Sequence, residues 1–68
     1  MCSFSVVSLR RDCALVRYGG LSFQVEIFEG ERGLIVTKPR SFYVDPSDFR
    51  DLVSTVKQEW RREFSDHV

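Results

Sequence analysis

The sequence describes an α+β domain: an antiparallel meander sheet of four to five strands, packed on one face by a single C-terminal amphipathic helix. From Phe4 to about Val44 the apolar residues alternate with a period of two, and turn signals break the pattern at short intervals, as in a meandering sheet. From Pro46 to Phe64 the period becomes that of a helix. With 68 residues the chain forms one domain, near the size at which one core is only marginally adequate and association is a common source of extra burial.

Strands are expected at about 3–9, 13–18, 21–28, 33–37 and 41–44, and the helix at about 46–64. The clearest local signal is "ALVRYGGLSFQVEIF", in which Gly19-Gly20 separates two strand-like runs and can supply the positive φ angles of a two-residue hairpin turn. That turn sets Tyr18 opposite Leu21, Val16 opposite Phe23 and Ala14 opposite Val25, giving the hairpin one apolar face. Arg17 with Ser22 and Leu15 with Gln24 fall on the other face. The segment "EGERG" can close around Gly30-Glu31, with glycine first as a type II′ turn requires, pairing Ile27 with Leu34 and Val25 with Val36 on the same apolar face. For "LRRDC", a three-residue turn at Arg10, Arg11 and Asp12 sets Phe4 and Val6 beside Tyr18 and Val16, whereas a two-residue turn would bury polar residues there.

The helix has both of its ends marked. Asp45 suits the N-cap, Pro46 the first helical position, and Asp48 a capping-box contact back to the cap. Asp45, Asp48 and Asp51 complement the positive end of the helix dipole; Arg61 and Arg62 complement the negative end. Phe49, Leu52, Val53, Val56, Trp60 and Phe64 recur at spacings of three and four, so they form a stripe whose partner is the apolar sheet face.

One helix covers one face of a sheet. The opposite face carries Val7, Leu9, Cys13, Leu15, Phe28 and Ile35 among Arg17, Ser22, Gln24, Glu26 and Thr37. A sheet face bathed in water normally carries polar residues. The leftover apolar set, Val7, Leu9, Leu15, Phe28 and Ile35, is therefore expected to form an interface near the first strand. Association as a homodimer and binding of a different protein both remain open.

Catalytic and metal chemistry find no support in the residue pattern. His67 is the one histidine and lies beside the C-terminus, Cys2 and Cys13 have no neighbouring base, and no serine sits in a nucleophile elbow. Both cysteines are expected to be reduced thiols, Cys13 serving as a small hydrophobe in a strand. Cys2, Cys13, Asp66 and His67 lack metal-ligand spacing, and Gly19-Gly20 joins two strands instead of leading into a helix as a phosphate loop does. No cofactor, small-molecule substrate or enzyme activity is expected. No apolar run is long enough to span a bilayer and the opening "MCSFSVVSLRRDC" lacks the plan of a secretory signal, so the expected setting is cytoplasmic without membrane contact.

Formal net charge is zero, which counts against a strong polyanion binder. A single-stranded nucleic-acid site would nevertheless draw on "VTKPRSFYV", with Lys38, Arg40 and Tyr43 joined by Arg17, because such sites combine cations along a backbone track with aromatic faces for bases. The competing view makes Lys38, Pro39 and Arg40 a polar turn or a blunted edge and gives Phe42 or Tyr43 to the core.

A strand meander entering one long helix through "FYVDPSDFRDLV" resembles the positive-cofactor-four type of transcriptional coactivator. Those proteins pass from a strand to a capping residue, Pro, two polar positions and an aromatic, matched here by Val44, Asp45, Pro46, Ser47, Asp48 and Phe49. The resemblance implies a dimeric fold that binds single-stranded DNA on a curved sheet surface. From the residues themselves, the leading expectation is a small non-enzymatic protein-binding module, a homodimeric regulator or inhibitor of a larger protein. Single-stranded nucleic-acid binding is the alternative.

Overall fold

The computed structural model describes residues 4–64. Four strands, β1 (Phe4–Leu9), β2 (Cys13–Tyr18), β3 (Leu21–Gly30) and β4 (Gly33–Thr37), form an antiparallel sheet in the order β1-β2-β3-β4. One helix, α1 (Pro46–Phe64), packs on it. Cys2, Asp66 and His67 lie outside the described residues.

The central hairpin has the register that its glycines dictate. Gly19 and Gly20 take φ values of 59° and 86°, and Tyr18 pairs with Leu21, Val16 with Phe23 and Ala14 with Val25. Alternation along β2 and β3 then sends Ala14, Val16, Phe23, Val25 and Ile27 to one face, where all are buried. Leu34 and Val36 from β4 join them, and Leu52, Val56 and Trp60 press down from α1. Phe49, Val53 and Phe64 flank that stripe half-buried.

The β3–β4 register differs from expectation by two residues. Gly30 pairs with Gly33 and Ile27 with Val36, so the turn is Glu31-Arg32 and not Gly30-Glu31. The glycine that adopts a left-handed backbone is Gly33, at φ 124°. Because side chains alternate with period two, a shift of two leaves every residue on its expected face.

The first hairpin combines two of the expected features in a way that alternation alone does not foresee. Phe4 pairs with Tyr18 and Val6 with Val16, as expected, but the register then slips and Leu9 pairs with Ala14. Val7 is the extra residue of a β-bulge. Beyond it the chain closes through Arg11-Asp12, with the Arg10 N–H donating to the Cys13 carbonyl at 2.7 Å, so the expected three-residue turn is not formed. The bulge absorbs the odd residue, letting a short turn coexist with Phe4 and Val6 on the core side of the sheet. It also turns Leu9 to the helix side, where it packs against the core.

Residues 41–44 form no strand, so the sheet has four strands and not five. The segment crosses from β4 to the helix over the flank of β3. Phe42 lays its ring on Phe23, centroids 5.0 Å apart at 30°, and its N–H donates to the Pro39 carbonyl at 3.3 Å. Val44 is buried, while Tyr43 is 79% exposed. Of the two aromatics, Phe42 belongs to the core.

The helix start is built as the sequence indicates, with one change. The Asp45 carbonyl accepts the first helical N–H, from Phe49, at 2.7 Å, and Asp45 Oδ1 accepts from the Ser47 N–H at 3.1 Å. Asp48 does not reach the cap directly. The Tyr18 hydroxyl stands between them, donating to Asp48 Oδ2 at 2.7 Å and accepting from the Asp45 N–H at 3.4 Å. At the other end Trp60 Nε1 donates to the Arg11 carbonyl at 2.7 Å, and the Arg11 guanidinium lies 5.4 Å from the Phe64 ring centre. These two polar clamps fix the helix to opposite ends of β2.

Candidate protein-binding surfaces

Three surfaces can be built from these elements: the outer face of the sheet, the loop around Lys38, and the margin between β1 and α1.

The outer face holds most of the residues expected at an interface. Phe28 is 63% exposed, Val7 52%, Ile35 48% and Leu15 37%. Leu9 is not among them, because the Val7 bulge reverses its direction. Phe28 and Ile35 are directly paired across β3 and β4 and close over Gly30, where an added Cβ would lie 3.3 Å from Ile35 Cδ1 and 3.6 Å from Phe28 Cε2. Val7 and Leu15 lie toward the other edge, and Cys13, Gln24 and Glu26 come between the two groups. The apolar surface is thus two spots separated by a polar strip, with Phe28–Ile35 the larger. Among the strand residues of this face, Arg17 and Glu26 are the charged ones.

Cys13 lies in that polar strip, opposite Glu26. Partial desolvation raises its thiol pKa above the usual 9.0, and the neighbouring Asp12 carboxylate raises it further. A thiol so held stays protonated at neutral pH and is a weak nucleophile. Among the described residues, no group of three His, Cys, Asp or Glu side chains could hold a metal ion, and no helix is long and apolar enough to cross a membrane.

The four residues considered for nucleic acid are not presented together as a track. Lys38 Nζ turns back on its own loop, donating to the Phe42 carbonyl at 2.6 Å and the Pro39 carbonyl at 3.4 Å. It closes the crossing segment, with two of its three donors directed at carbonyls of its own loop. Arg40 and Tyr43 are exposed on that segment, and Arg17 is exposed between Ser5 and Ser22 on the outer face. Lys38 pins the loop that lays Phe42 on the core.

The third surface has no counterpart in the sequence expectations. Between the outer edge of β1 and the flank of α1 runs an open groove of about 470 Å³, with Phe4 to Leu9 on one side and Thr55, Glu59 and Glu63 on the other. The three helix residues are spaced by four, so they share one flank of the helix. That spacing is visible in the sequence, but Glu59 and Glu63 are equally well explained there as ordinary residues of a solvated helix end. What makes them a wall is the position of α1 over the sheet. Compared with known proteins, the chain matches no family model, no curated protein and no solved structure.

Proposed function

We propose that this chain is a small non-enzymatic protein-binding module that self-associates through the outer face of its sheet and serves as a regulator of a larger protein. The observation that supports it is the exposed Phe28–Ile35 pair, on a sheet face whose charged strand residues are only Arg17 and Glu26. Depletion of charge around apolar anchors is the compositional mark of an interface centre. A 68-residue chain also gains most from covering such a face. Two copies packed sheet to sheet would bury both Phe28–Ile35 pairs in one contact.

Light scattering across micromolar to millimolar chain concentration tests this. The expected mass is that of two chains, falling to one for Phe28→Ser/Ile35→Ser with an unchanged circular dichroism spectrum. A single-chain mass for the unaltered protein at every concentration would refute it.

A further inference from the structure

We infer that the groove between β1 and α1 is a second, separate binding site, which takes a short extended segment of another protein carrying Lys or Arg at alternate positions. The two flanks of the helix are not equivalent. On the β3 side, the crossing segment fills the margin with Phe42 and Val44. On the β1 side nothing among the described residues does so, and Phe4, Val6 and Leu9 remain only half-buried along the groove.

Among the described residues β1 is an end strand of the sheet, so its outer edge offers unpaired backbone groups to an added strand. In such a strand every second side chain would point to the helix side, beside Phe4, Val6 and Leu9, with Thr55, Glu59 and Glu63 as the facing wall. A purely apolar side chain would fit the floor and leave the carboxylates unanswered. A lysine or arginine answers both, because its aliphatic stem can lie on the apolar floor while its charged head reaches the glutamates. Glu59 already has Arg62 at 2.7 Å, but that pair is exposed and cheap to exchange, and Arg62 does not line the groove. The bulge at Val7 interrupts the edge, which limits the added strand to a short one and places selectivity in the basic side chains.

The same geometry argues against a second copy as the occupant. Two β1 strands paired antiparallel would set two copies of α1 antiparallel across the seam, and the flank that each offers, Thr55, Glu59 and Glu63, carries no cation to answer the other copy's groove. The helix-side residues of β1 that would enter the groove, Phe4, Val6 and Leu9, include no cation.

The test uses the full chain and a fluorescent peptide alternating Lys and Val, compared with a Glu-Val peptide of the same length. Fluorescence anisotropy should show binding of the Lys peptide alone, weakening as salt rises. Glu59→Gln/Glu63→Gln should lower its affinity about tenfold, the combined effect of two weak ion pairs. Phe28→Ser/Ile35→Ser should leave the affinity unchanged, which separates this site from self-association. In amide NMR spectra the shifts should concentrate at Phe4 to Leu9. Equal affinity for the two peptides, no binding at millimolar peptide, or an undiminished affinity in the double glutamine variant would overturn the inference. So would a dimer that survives Phe28→Ser/Ile35→Ser with the Phe4–Leu9 amides at its interface, since that would place a second copy in the groove.

Discussion

Phe42 and Tyr43 are adjacent aromatics of similar size, and the structure gives them opposite environments. Truncating each to alanine measures that difference in one protein. Phe42 is half-buried with its ring on Phe23, centroids 5.0 Å apart, whereas Tyr43 is 79% exposed. Complete truncation of a core phenylalanine costs about 3–5 kcal/mol, and a half-buried ring loses about half of that. The aromatic pair adds about 0.5–1.5 kcal/mol. Phe42→Ala should therefore cost about 2–4 kcal/mol, while Tyr43→Ala should stay within about 0.5 kcal/mol. The polar contacts of the crossing segment use backbone atoms of Phe42, so both variants keep the N–H to Pro39 and the Lys38 bond to the Phe42 carbonyl. A domain of this size has a total stability of roughly 3–10 kcal/mol, so Phe42→Ala removes a substantial part of it. With a urea dependence of about 1 kcal/mol per molar for so small a protein, the unfolding midpoint should fall by about 2–4 M. Equilibrium urea unfolding followed by circular dichroism reads this directly, with Trp60 as a second probe. Equal midpoint shifts for the two variants, or a larger one for Tyr43→Ala, would show that the crossing segment is not packed through Phe42.

Val7 and Leu9 form a second contrast. Simple alternation puts both on the outer face, whereas the bulge turns Leu9 inward, so Leu9→Ser should cost about 1–2 kcal/mol and Val7→Ser less than about 0.5 kcal/mol in the same urea assay. Similar costs for both would argue against the bulge. A pH titration addresses the Tyr18 clamp. The hydrogen bond donated to Asp48 raises the Tyr18 pKa above the usual 10.0 and outweighs the opposing effect of the Asp45 N–H. Below pH 10 the phenol is protonated in both folded and unfolded chains and its contribution is complete. As pH rises further, the unfolded chain loses the proton first, so the contribution declines as pH passes through the folded pKa. Tyr18→Phe should be less stable at neutral pH, and the gap should narrow above pH 10. A gap that is constant or widening in that range would remove Tyr18 from the helix cap.

Much of the architecture follows from residues that act over a few positions. Gly19-Gly20 accepts positive φ at both positions, which settles the central hairpin and its register before anything else packs. Asp45-Pro46 and the spacing of Phe49, Leu52, Val53, Val56, Trp60 and Phe64 likewise define a helix and its buried stripe. These signals are local, so tertiary context had only to agree with them. The candidate surfaces were partly legible for the same reason: alternation alone marks Leu15, Phe28 and Ile35 as residues that one helix cannot cover.

Where alternatives satisfy alternation equally, the sequence is silent and packing chooses. Closing β3 and β4 at Gly30-Glu31 or at Glu31-Arg32 leaves every side chain on the same face, so hydrophobic pattern cannot separate them. The Val7 bulge reconciles a two-residue turn with inward-facing Phe4 and Val6, and it can be placed only once β1, β2 and α1 are assembled; with it go the reversal of Leu9 and the shape of the β1 edge. Residues 41–44 have strand-like composition but lose the strand, because Phe42 finds its partner in Phe23 and Lys38 holds the loop that delivers it. The groove is the furthest from the primary structure. Phe4, Val6, Leu9, Thr55, Glu59 and Glu63 come from the two ends of the chain, and only the position at which α1 settles across the sheet makes them neighbours.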